Sequence, residues 1–130
     1  WVKTADTLGG LVDKDRVSSY DLHIGVGGKF RFMINNNFLD SSTAPNDTWQ
    51  FVAGVWNPAG NPDPSLEMYI NGSVESSKPH LLGGPAATAG PLYIGRLTDG
   101  FYLNGLLDDV RFYGRRLLDW EIAAMYKAMK

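Results

Sequence analysis

Leu106-Leu107-Asp108-Asp109-Val110-Arg111-Phe112-Tyr113, followed after three residues by Leu117-Leu118-Asp119-Trp120-Glu121-Ile122, is the stretch on which the fold turns. At the two-residue period of a strand, Leu106, Asp108, Val110 and Phe112 share one face, and Leu107, Asp109, Arg111 and Tyr113 share the other. Asp119 then stands where a helix N-cap belongs, and Ile122, Met125, Tyr126 and Met129 follow at the spacing of one buried stripe. One helix at the end of a chain that otherwise reads as strands predicts an antiparallel β domain closed by a C-terminal latch. The same register sends Asp108 inward with Val110 and Phe112, where burying a carboxylate is costly unless a cation or hydrogen-bond donors meet it. Arg111 and Arg96 are both conceivable partners.

Upstream, alternation keeps returning, with turn chemistry between. Gly9-Gly10 precede Leu11-Val12-Asp13-Lys14. Tyr20, Leu22, Ile24 and Val26 alternate with Asp21, His23 and Gly25. After Gly27-Gly28 the pattern resumes as Phe30, Phe32 and Ile34, a predicted hairpin. Asn35-Asn36-Asn37 reads as a loop. Trp49 to Trp56 is apolar on both faces, as expected of a strand in the middle of a sandwich. Leu66, Met68 and Ile70 alternate with Glu67 and Tyr69, and Asn71-Gly72 favours a type I′ hairpin turn. Asn57–Ser65 and Pro79–Pro91, rich in proline or in glycine and alanine, are the long loops where binding is expected. On this reading Asp13 and Asp21 face solvent, His23 on a strand's polar face and His80 in a loop are solvated or structural histidines, and Asp99 is a turn residue.

Composition removes several classes. A chain of 130 residues is one domain long, 44% hydrophobic and 20% charged, which excludes a disordered polymer. A net charge of −2 gives no electrostatic reason to bind nucleic acid. No apolar run is long enough to insert as a membrane-spanning helix. With no cysteine, disulfides, thiol catalysis and cysteine-ligated zinc are out. The opening Trp1-Val2-Lys3-Thr4 reads as an interior strand, so residues 1–130 are expected to be a single domain cut from a longer chain. The sharper expectation is that another chain completes the β-sheet edge.

The closing run Tyr102, Gly105, Leu107-Asp108-Asp109-Val110-Arg111-Phe112-Tyr113, Leu117 and Glu121-Ile122 resembles the end of the laminin-G-like domains, the concanavalin A-like jelly rolls of lectins and glucanases. Trp49-Gln50-Phe51-Val52-Ala53, Met68-Tyr69-Ile70-Asn71-Gly72 and Leu92-Tyr93-Ile94-Gly95-Arg96 are similar to three further strands of that family, in its order. The resemblance implies an all-β, two-sheet antiparallel jelly-roll sandwich with one C-terminal helix, lacking N-terminal strand material. It implies an extracellular or surface setting. For Asp108 it implies a calcium ligand, since hard oxygen ligands converge in such sites.

Glycosidase chemistry needs two carboxylates on one face a few ångströms apart. The glutamates are Glu67, Glu75 and Glu121, none in a Glu-x-Asp-x-Glu run, and Asp108 and Asp109 face opposite ways. An enzyme is not expected. A carbohydrate site wants exposed aromatic rings beside amides and carboxylates, which nominates Trp56, Tyr102 and Asn104. Fold alone does not fix function, so two readings stand. One is a non-catalytic carbohydrate-binding or adhesion module that meets a glycan or surface protein. The other is a structural module of a phage fibre, capsid decoration or extracellular filament that contacts other chains.

Overall fold

The computed structural model describes all residues, Trp1–Lys130. Eleven strands precede one helix: β1 Val2–Lys3, β2 Gly9–Asp13, β3 Tyr20–Gly25, β4 Lys29–Ile34, β5 Asn37–Asp40, β6 Trp49–Gln50, β7 Val52–Asn57, β8 Ser65–Ile70, β9 Ser73–Pro79, β10 Tyr93–Ile94, β11 Leu106–Leu107 and α1 Asp119–Met129. They form a five-stranded sheet (β10-β2-β3-β4-β5) and two three-stranded ones (β7-β8-β9 and β11-β1-β6), with every pairing antiparallel. This is the β-sandwich architecture expected, closed by the expected helix.

Alternation sets the layers. Ile24, Phe30, Phe32 and Ile34 from the larger sheet meet Leu66, Met68 and Ile70 of β8 in the main core. At Gly54 the two sheets approach so closely that a Cβ would lie 2.4 Å from the Phe32 ring. On the far side of β7 and β8, Phe51, Val55 and Tyr69 bury Leu117 and Ile122, with Met125, Tyr126 and Met129 packed alongside. Trp1 stacks on Tyr126 at 5.6 Å.

Local chemistry places the turns. Asn71 and Gly72 both have positive φ (50° and 81°), as a type I′ turn demands, and their hairpin forms as expected. Asn35 and Asn36 do the same between β4 and β5, so the asparagine loop is a two-residue hairpin. Asp119 is not the N-cap of α1; Leu118 is. A leucine has no oxygen to cap with, but Glu121 accepts the Leu118 amide at 2.8 Å, one half of a capping box. Asp119 instead accepts from the Tyr69 hydroxyl at 2.7 Å, which ties the helix start to β8.

The closing strand departs most from expectation. Only Leu106–Leu107 is strand, paired with β1, and the Asp108 amide then donates to the Trp1 carbonyl at 3.0 Å. Asp109 then turns left-handed (φ 54°) and breaks the alternation. β7 is likewise not a middle strand. It pairs with β8 alone and leaves its other edge open.

Candidate functional site

The loop between β10 and β11 folds back as a small hairpin across β2. The Leu97 amide donates to Phe101 O at 3.0 Å and the Leu103 amide to Gly95 O at 2.9 Å, with Arg96 bridged to Tyr102. Fully buried Leu97 anchors it. Gly10 lies directly beneath, where a Cβ would come within 2.2 Å of the Arg96 carbonyl carbon. Anchored in this way, the hairpin holds the Tyr102 ring 66% exposed. The Arg96 guanidinium sits between two rings, 4.4 Å from that of Tyr93 and 5.1 Å from that of Tyr102, a doubled cation–π arrangement.

Asn104 follows at the same rim. Its carbonyl accepts from Thr4 Oγ1 at 2.7 Å, and its amide donates to Asp6 Oδ2 at 2.9 Å. The backbone is therefore fixed, while the exposed side-chain amide makes no hydrogen bond within the chain. The hairpin thus presents an exposed ring against a guanidinium at Tyr102 and, two residues on, an unbonded side-chain amide at Asn104. Trp56 is not with them. It is half-buried beneath Gly84, whose Cβ would lie 2.4 Å from the indole, and its Nε1 is buried without a partner. Trp56 lines an apolar groove to which Tyr102 and Asn104 do not contribute.

Asp108 is exposed, contrary to the expectation of a buried carboxylate. Leu107, not Leu106, packs on the main core, so the register is one residue out from the expected one. The Asp108 carbonyl accepts from the Trp1 ammonium at 2.8 Å, but its side chain makes no hydrogen bond. Neither arginine named as a partner reaches it: Arg111 pairs with Asp109 at 2.7 Å, and Arg96 lies between the tyrosines. Around Asp108 no group of three Asp, Glu, His or Cys side chains gathers that could hold a metal ion. Asp108→Ala is accordingly expected to change stability by no more than about 0.5 kcal/mol, as for an exposed substitution. A thermal-melt shift well beyond that would restore a structural role.

Buried carboxylates lie instead on β2 and β3. Asp13 and Asp21 are opposite each other on β2 and β3, both fully buried, and His23 beside them is 3% exposed. Both aspartates are expected in solvent and are instead buried, while His23 is the structural rather than the solvated histidine. They do occupy the polar face, but the Gly95–Leu103 hairpin covers it. Asp13 Oδ1 accepts the Asp15 and Arg16 amides at 2.8 and 3.1 Å, and its Oδ2 accepts the Thr98 amide at 2.6 Å, clamping the hairpin down. Asp21 Oδ1 is 2.8 Å from His23 Nδ1, while its Oδ2 has no partner. The available signal was two aspartates directly opposite, which repel on neighbouring strands; it could be read only once the pairing was known. His80 is buried too, the structural rather than the solvated alternative. Asn37 Nδ2 lies 2.9 Å from its Nδ1, and its Nε2 lies 2.8 Å from Gly83 O. The ring is thus held at both nitrogens.

Burial raises the Asp21 pKa, aided by Asp13 and opposed by the hydrogen bond and charge of His23 and by Arg16. The folded chain then holds this proton more tightly than the unfolded chain does. Asp21 therefore favours the fold most in acid, and the contribution is lost as pH rises from the ordinary value of 3.8 through the raised one. Asp21→Asn keeps an acceptor for His23 and removes the titration. Its unfolding midpoint, relative to wild type, should improve as pH increases through that window. Parallel curves for the two proteins would show that Asp21 titrates normally.

All three glutamates are bound into the fold. Glu75 accepts the Thr43 amide at 2.8 Å and the Ser42 hydroxyl at 2.7 Å. Glu121 meets Arg115 at 2.6 and 2.9 Å, which with the Leu118 amide draws its pKa down to about 2. Glu67 lies in a buried network with Asn57, Tyr69 and Arg116.

Among known proteins, the family model described as the concanavalin A-like lectin/glucanases superfamily, of laminin G type, matches residues 1–123. No curated protein and no solved structure matches the chain.

Proposed function

The chain belongs to the concanavalin A-like lectin/glucanases superfamily, and from that premise we propose that it is a non-catalytic carbohydrate-binding or adhesion module of a secreted or surface-displayed protein. The observation that carries this reading is the rim: an exposed Tyr102 ring held against Arg96, with the free Asn104 amide nearby. A sugar ring offers an apolar C–H face and a circle of hydroxyls, so it needs a flat apolar platform flanked by donors and acceptors. Absence of catalysis is supported by the engagement of Glu67, Glu75 and Glu121 in structural hydrogen bonds.

A glycan array followed by titration of any hit tests the reading. Tyr102→Ala should weaken binding roughly tenfold, the worth of a lost stacking platform. Binding that survives both Tyr102→Ala and Asn104→Ala unchanged would place the site elsewhere. A second reading, contact with other protein chains, is favoured by a separate observation, the open apolar groove beside β7.

A further inference from the structure

Two asparagines of the chain precede a glycine, Asn71 before Gly72 and Asn104 before Gly105. That pairing carries a chemistry of its own. The main-chain nitrogen of the following residue can attack the asparagine side-chain carbon and close a five-membered ring. Glycine, with no Cβ, crowds that approach least. Both reacting groups belong to one chain, so no encounter limits the step, and the freedom of the two groups decides where it happens.

The fold treats the two asparagines oppositely. Asn71 lies in the type I′ turn, where its amide donates to Phe51 O at 2.8 Å and its Oδ1 accepts the Phe51 amide at 3.0 Å. Its side chain cannot swing toward Gly72 without giving up that second bond, which would strand the Phe51 amide. Asn104 is exposed, and its side-chain amide bonds to nothing in the chain. The nucleophile beside it is free too: Gly105 is exposed and its amide makes no hydrogen bond. One bond of the main chain there assists the reaction. Thr4 Oγ1 donates to the Asn104 carbonyl at 2.7 Å. When the Gly105 nitrogen gives up its proton, the charge is shared with that carbonyl oxygen, and a donor already aimed at it stabilises the charge. Gly105 is also not free to change, because a Cβ there would lie 2.6 Å from the Lys3 carbonyl oxygen. Packing against β1 therefore retains the residue that makes Asn104 reactive.

We infer that Asn104 is a self-modification site of the folded protein, a neutral amide that becomes a carboxylate by reaction with Gly105 and water. Hydroxide removes the Gly105 amide proton. The nitrogen bonds to Asn104 Cγ, the Cγ–Nδ2 bond breaks, and Nδ2 leaves as ammonia with a proton returned by water. Water then opens the cyclic imide, its hydroxyl going to one carbonyl carbon and its proton to the ring nitrogen. Opening at Cγ gives aspartate; opening at the main-chain carbonyl carbon gives isoaspartate, in which the chain runs through the former side chain. Nothing is oxidised or reduced, and no ligand takes part, so the site does not depend on the glycan reading. Either product adds a negative charge two residues from Tyr102, so the charge of the rim changes as the protein ages.

The test keeps the purified chain in mildly alkaline buffer, at a temperature where it stays folded, and samples it over time by peptide mass mapping. Residue 104 should gain the mass difference between a hydroxyl and an amino group, with aspartate and isoaspartate both present. Residue 71 should lag behind it by about tenfold or more. The same incubation in denaturant should bring the two positions to similar rates, since the dipeptides are identical and only the fold separates them. Asn104→Gln, which must close a larger ring, should leave position 104 unmodified over the same interval. Equal rates at the two positions in folded protein, or residue 71 leading, would overturn the proposal. So would aspartate without isoaspartate, the mark of direct hydrolysis. A gap that persists unchanged in denaturant would assign the difference to flanking residues and overturn the part given to the fold.

Discussion

Ile122→Ala is expected to cost about 2–5 kcal/mol of stability, the range for truncating a fully buried aliphatic side chain. Ile122 is 0% exposed and is the one fully enclosed residue of α1. It fills the layer made by Phe51, Val55, Tyr69 and Leu117 on the outer face of β7 and β8. A helix of 11 residues is too short to persist alone, so its order comes from this docking. Loss of the Ile122 branch leaves a void that Tyr69 cannot fill, because its hydroxyl is held at Glu67 and Asp119. Chemical denaturation of the purified variant reads the cost. A midpoint within error of wild type would show that α1 is a loose tail.

Glu67→Ala should cost about 3–5 kcal/mol, the penalty for removing one member of a buried charged set and stranding the others. Glu67 is 8% exposed. Asn57 Nδ2 donates to its Oε1 at 2.8 Å, the Tyr69 hydroxyl lies 3.0 Å from its Oε2, and Arg116 Nη2 lies 3.2 Å from that same oxygen. Burial, and then the flanking carboxylates of Asp119 and Glu67, push Tyr69 ionisation well above its ordinary value, so its phenol stays a donor at all working pH. With Glu67 gone, Arg116 keeps only Asp119 at 3.5 Å, and the Asn57 amide loses its acceptor. Glu67→Gln, which retains an acceptor of the same shape, should cost visibly less. Equal losses for Ala and Gln would show that charge, not hydrogen bonding, holds the network; no loss for either would remove it from the fold's support.

Much of the architecture could be read from local pattern. Period-two alternation placed Phe30, Phe32 and Ile34, and Leu66, Met68 and Ile70, in one core, where they lie. Asn71-Gly72 made its hairpin because two adjacent left-handed residues are a local requirement. The stripe Ile122, Met125, Tyr126 and Met129 docked as its spacing demanded. The exposure of Tyr102 and Asn104 was also within reach, since both lie in a Gly-rich loop. These features depend on neighbours in sequence, and the sequence by itself determined them.

Tertiary structure decided what depends on partners far along the chain. Asp13, Asp21 and His23 stood on the expected face, but whether that face is wet was settled by a hairpin more than seventy residues away, through the Thr98 amide bound to Asp13. Asp108 was expected inside because alternation was carried through to Tyr113. The alternation ends sooner: β11 pairs with β1 only at Leu106 and Leu107, Asp109 turns left-handed out of register, and Asp108 meets solvent. Trp49–Trp56, apolar on both faces as a middle strand is, divides between two sheets, β6 pairing with β1 and β7 with β8. Residue pattern records which surfaces must be buried; which backbone edges find a partner is a property of the assembled sheets.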